Sequence, residues 1–232
     1  MKFSDLTAEQ LFDIPKKEEF YNNVNSIGSD LYIVLEYFNS HMIEDAYSQG
    51  IKNITAAAYY IGICSFIQLE HSMATVAIFN LEYGHAVLLR SYLEVIARTH
   101  KAVRLYKTYL SNKDDDTFKE KTERLVKPYI VGDSSGEGGF GITTLIDSLG
   151  DEIPDVRARY DELSEYLHGS SILMHSVYRK DSFIRLAQGE HSSVIIKHKE
   201  LGDTLRKIFI EDISFIKEVT EHIKERMLEK EC

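Results

Sequence analysis

Tryptophan is absent from this chain, and proline and cysteine are scarce: three prolines and two cysteines in 232 residues. Two cysteines cannot build the disulfide framework of a small secreted domain. Cys64 lies in an apolar run and Cys232 is the last residue, so a reducing, cytoplasmic setting is expected. Three prolines leave long stretches without a helix breaker. Long hydrophobic runs are missing too. The stretch from Asn53 to Leu69 carries no charge, but Glu70 and His71 close it. It falls short of the roughly 20 apolar residues that a membrane span needs, so a buried helix and no membrane contact are expected. The first residues, MKFSDLTAEQ, have no apolar core, and no secretory leader is expected in them. A positive excess is lacking as well. The net charge of −10 argues against a surface coated for non-specific nucleic-acid binding. That total hides one positive segment, where Arg90, Arg98, Lys101, Arg104 and Lys107 face Glu94 alone.

What is present is ordinary for a globular chain, with 44% hydrophobic and 28% charged residues and a length suited to a single domain, 1–232. Apolar spacing predicts a short helix over 6–13 and a longer one over 17–49, with Tyr32, Leu35, Phe38, Met42 and Ala46 on its stripe. Together these N-terminal helices occupy 1–50. Gly50 suits a helix C-cap, and Asn53 or Thr55 can open the next helix, which runs to Phe79. After a turn at NLEYG, a helix is expected from His85 to Leu110. The acidic NKDDD opens another, which stops before Pro128. GDSSGEGGFG, 132–141, reads as a flexible loop, with a short helix at 142–149 beyond it. Pro154 opens a helix that ends at Gly169, and a final helix covers 200–229. Between these two, β-branched segments at 182–188 and 192–198 leave room for one small hairpin. The expected fold is an all-α antiparallel helical bundle whose core spans 53–230.

A few polar residues stand where a plain helix would carry leucine. In HAVLLRSYLEVIA, Arg90 and Glu94 lie four apart within an almost wholly apolar helix. A charge buried alone costs several kcal/mol, so these two are expected to pair with each other or with a facing group. In YDELSEYLHGSS, Val156, Tyr160, Leu163 and Leu167 make the apolar stripe, with Ser164 and His168 on its flank. His168 closes the helix, where the dipole favours an imidazolium and where an acid or base near neutral pH could work. The plainer role for such a histidine is to satisfy the last carbonyls of its helix.

The two patterns R-x-x-x-E, Arg90 to Glu94, and S-x-x-x-H, Ser164 to His168, together resemble an uncharacterised prokaryotic branch of the HEPN superfamily over roughly residues 55–230. The resemblance implies a small helical bundle, a homodimer, and RNA or nucleotide interaction in a defence or stress system, with an antitoxin-like protein as a further partner. Catalytic members cleave RNA without metal through an R-x(4–6)-H motif. By resemblance His168 is the acid/base, Arg90 the phosphate contact, Glu94 its orienting partner and Ser164 a hydrogen-bonding neighbour. No arginine stands at the motif spacing before His168, and Arg159 is nine residues away. Arg90 would have to supply the guanidinium from another helix.

Two other readings stay open. The same four residues can form a purely structural network in a non-catalytic interaction or scaffold protein. Alternatively, Glu82–His85 and Glu165–His168, completed by Glu36 or Glu44 and Glu94, match the E-x-x-H pattern of a di-metal carboxylate bundle. The leading expectation involves no metal and no cofactor. GEGGFG lacks the Lys-Ser/Thr of a P-loop and reads as a linker. Cys64, within a core helix, is expected to be inert. The 14 tyrosines are mostly core, with one or two able to stack a base.

Overall fold

The computed structural model describes residues 18–41, 43–78, 81–130, 139–167 and 193–231. The expected helix at 6–13 lies outside them, as do Met42, most of the Gly-rich segment and the first expected strand. The described part is an all-α bundle with no strand.

Helix α1 spans Glu18–Ser40 and buries Val24, Ile27, Leu31, Val34, Leu35 and Phe38 along one stripe. It stops nine residues short of the expected end at 49. Asp45 restarts the chain by accepting a hydrogen bond from the Ser48 amide at 2.7 Å, which opens α2, Ala46–Ala56. Gly50 is therefore not a cap but a buried mid-helix residue. A Cβ placed there would lie 2.4 Å from the Phe118 ring, so glycine lets a neighbouring helix approach.

Nothing interrupts the chain between α2 and the next helix. Ala57–Ile63 is a π-helical turn that passes directly into α3, Cys64–Ile78. The uncharged stretch of the sequence thus becomes core: Ile51, Ile54, Ala57, Ala58, Ile61, Ile63 and Phe66 are buried. Among the described residues, no helix is long and apolar enough to cross a membrane.

Helix α4, Glu82–Asn112, is 31 residues long, about 46 Å at 1.5 Å per residue. It occupies the middle of the bundle, with Leu89, Tyr92, Leu93, Ile96 and Ala97 fully enclosed. Lys113 ends it in a left-handed conformation, φ 54°. Asp114 then caps α5, Asp115–Ile130, through the Thr117 amide at 2.9 Å. This helix continues through Pro128 instead of stopping before it. Two shorter helices follow, α6 at Ile142–Asp147 and α7 at Val156–Leu167.

Helix α8, Ser193–Glu231, closes the bundle. Residues 193–198, expected as the second strand of a hairpin, are its opening turns instead. His198, Leu201, Leu205, Phe209, Ile213 and Ile216 are buried at helical spacing, and that burial outweighs the β-propensity of Val194, Ile195 and Ile196. Phe66 of α3 stacks on Phe209 of α8 at 4.1 Å between ring centres, joining the two sides of the core.

Candidate functional site

Arg90 and Glu94 lie on successive turns of α4 and form an ion pair of 2.9 Å. Helix α7 crosses them with Tyr160 and Ser164, also one turn apart. The Tyr160 hydroxyl donates to Glu94 Oε1 at 2.7 Å and accepts from Arg90 Nη2. Ser164 Oγ accepts from Arg90 Nε at 2.9 Å and donates to the Tyr160 carbonyl at 2.8 Å. All three guanidinium nitrogens of Arg90 therefore have an oxygen partner. Its carbon sits 4.8 Å from the centre of the Tyr160 ring. Burial first, and then the Glu94 carboxylate, push the Tyr160 hydroxyl up to about 12, so it stays protonated and donates.

The structure thus brings Arg90, Glu94 and Ser164 together. His168, the fourth expected member, lies outside the described residues. Tyr160 was expected only as part of the apolar stripe, yet its hydroxyl is the hub. The signal was present in the sequence: Tyr160 and Ser164 are four apart, the same interval as Arg90 and Glu94. The cluster lies at the margin of the core, with the Arg90 side chain 24% and the Glu94 side chain 30% exposed.

Three further polar clusters had no sequence signal, because their partners are far apart in the chain. Glu70, which closes the apolar stretch, is buried. It accepts from the Tyr92 hydroxyl, and from Arg206 Nε at 3.1 Å and Nη2 at 2.8 Å. His100 Nδ1 meets Asp212 Oδ2 at 2.9 Å, both buried, and burial raises the Asp212 carboxyl above its usual range. His85 and His198 lie nearly parallel, 8° apart with centres at 5.6 Å. His85 is buried, its Nδ1 has no hydrogen-bond partner, and burial lowers its pKa to about 4.

Among the described residues, no group of three or more His, Cys, Asp and Glu side chains is arranged to hold a metal. Glu36 and Glu44 are exposed, and Glu94 is held by Arg90 and Tyr160. Cys64 belongs to a core helix, but its side chain is exposed rather than enclosed. Partial burial still raises its thiol above the ordinary value, which disfavours the thiolate. It lines an open groove of about 460 Å³ between α1 and the π-helical turn, with Gly28, Tyr32, Ile33, Tyr59 and Ile63.

No family model matches the chain, and no curated protein or solved structure matches it.

Proposed function

We propose that this protein works by binding and not by cleaving: it is a non-catalytic helical interaction module in which Arg90, Glu94, Tyr160 and Ser164 lock α4 to α7. The observation that carries this reading is the commitment of Arg90. Its three nitrogens donate to Ser164, Tyr160 and Glu94. To contact a phosphate it would first break charge-assisted hydrogen bonds, each worth about 1.5–3 kcal/mol. The test is incubation of a mixed RNA pool with the purified chain in EDTA, beside His168→Ala. The expected result is intact RNA with both proteins. Cleavage by the wild type that is lost in His168→Ala overturns the proposal.

That outcome would support the second reading, a metal-independent HEPN-like endoribonuclease. One observation favours it: the quartet is not sealed, with a quarter of Arg90 and nearly a third of Glu94 exposed. In the chain, His168 follows directly on Leu167, where the described part of α7 ends. Under this reading His168 is the acid/base, Arg90 turns outward to the scissile phosphate, Glu94 orients it and Ser164 supports it. Two copies would act together on RNA or nucleotides in a prokaryotic defence or stress system, with an antitoxin-like partner. A mass measurement in solution, with and without RNA, tests the dimer.

A further inference from the structure

Helix α1 runs beside the π-helical turn and α3 in the opposite direction. Tyr21 of α1 stacks on His71 of α3 at 5.2 Å between ring centres, and eleven residues later Tyr32 meets Tyr59 of the π-helical turn at 5.5 Å. Between these contacts a Cβ on Gly28 would lie 3.2 Å from Ile63, so the two elements touch at the groove described above.

The outer side of this pair exposes no Asp, Glu, Lys or Arg along two stretches. From Asn22 to Ile33 every exposed position is asparagine, serine, tyrosine or isoleucine. From Tyr60 to Ser72 the exposed positions are tyrosine, cysteine, glutamine, histidine and serine. The charged residues that fall within these stretches are engaged with the rest of the bundle. Asp30 is partly buried and pairs with Lys217 of α8 at 2.8 Å, and Glu70 is buried against Tyr92 and Arg206. The outer face of α5, by contrast, exposes Glu120, Glu123, Arg124 and Lys127. The uncharged surface also holds Tyr32, Ile33 and Tyr60, large side chains left 43%, 52% and 49% exposed.

Depletion of charge together with exposed tyrosine is the composition of an interface centre. Charge selects the occupant. Two copies of this chain, each of net charge −10, repel one another over most of their surface. A two-fold contact also sets a patch against itself, so a charge near the axis meets its own like. An uncharged face avoids both costs. The amides of Asn25 and Gln68 and the hydroxyls of Tyr32 and Tyr60 each donate and accept, which makes the face complementary to its own copy. Tyr32, Ile33 and Tyr60 add apolar area that leaves water on contact.

We propose that the surface formed by α1, the π-helical turn and the start of α3 is a self-association face that docks a second copy of this chain. The inference does not rest on either reading of the Arg90 cluster, whose residues lie on α4 and α7.

The experiment is sedimentation equilibrium of the full chain, for wild type, Tyr60→Glu, Ile33→Asp and Leu110→Glu, with thermal melting to identify the variants that fold. Leu110, on α4, is 44% exposed and lies outside the face, so its variant controls for added surface charge. The expected result is a wild-type mass that rises from one chain, 26.7 kDa, towards two over about 1–100 μM. Association should weaken at least about tenfold in Tyr60→Glu and Ile33→Asp and stay unchanged in Leu110→Glu. Added salt should strengthen it, because screening relieves the repulsion between the two acidic copies and no ion pair at the contact is lost. Ile33→Asp serves where Tyr60→Glu does not fold. A wild type that stays monomeric overturns the proposal and leaves the face to a different partner. A dimer that survives in the folded face variants, or that Leu110→Glu weakens equally, overturns it as well.

Discussion

At the scale of single residues, the two arginine clusters look alike but differ in what lies beneath them. Glu94 is nearly a third exposed, whereas the Glu70 side chain is only 7% exposed. Removing the cation therefore leaves Glu94 free to hydrate and Glu70 stranded. Arg206→Met is expected to cost on the order of 3 kcal/mol and Arg90→Met about 1 kcal/mol. Urea unfolding of both variants checks the order, and a larger loss for Arg90→Met would sink the argument. His85 gives a second expectation. Its folded pKa of about 4 lies below the ordinary 6.5, so the unfolded chain takes up the proton first as pH falls. Stability attributable to this residue is complete above the upper value, declines between the two, and levels off below the lower one. The total is about 3 kcal/mol at most. Over that window His85→Gln should lose less stability than wild type, and parallel stability–pH curves would contradict the assignment. These clusters were unequally legible from sequence. Arg90–Glu94 announces itself because a charged pair interrupts an apolar run. Glu70 and Arg206 are 136 residues apart and look like unremarkable charges on two helices.

At the scale of elements, hydrophobic spacing located the helices better than it located their ends. The stripe of α1 was readable in the sequence, but its end was not. The restart depends on one Asp45 side chain reaching an amide, and Gly50 offered a more conspicuous break. Gly50→Ala decides between the two roles of that glycine. As an exposed mid-helix residue it would gain about 1 kcal/mol from the substitution. At the observed site, the new Cβ would collide with Phe118 at 2.4 Å. Overpacking of this kind costs about 1–3 kcal/mol, so a net loss is expected. A rise in thermal midpoint for Gly50→Ala would show that the ring moves aside freely. The π-helical turn had no signature at all, because Ala57–Ile63 has the same composition as an ordinary buried helix. The opening of α8 was misread for the opposite reason. Three β-branched residues in a row gave a strong local signal, and distant packing overrode it.

At the scale of the whole molecule, many of the polar contacts between helices share one member. Helix α4 is joined to α7 by Arg90, to α3 and α8 by Tyr92 and His100, to α5 by Arg98 donating to the Leu125 carbonyl, and to the turn after α6 by Arg104. The all-α class was legible because it depends only on periodicity. The central place of α4 was not, because it depends on which helices cross it. Its consequence concerns time rather than shape. No single neighbour can leave and free α4, so its amides open only when several contacts fail together. Hydrogen exchange should be slowest between Leu89 and Val103 and markedly faster along α1, whose outer face is exposed. Equal protection in the two helices would contradict this. If the difference holds, the lifetime of the folded chain is set by how often α4 is released.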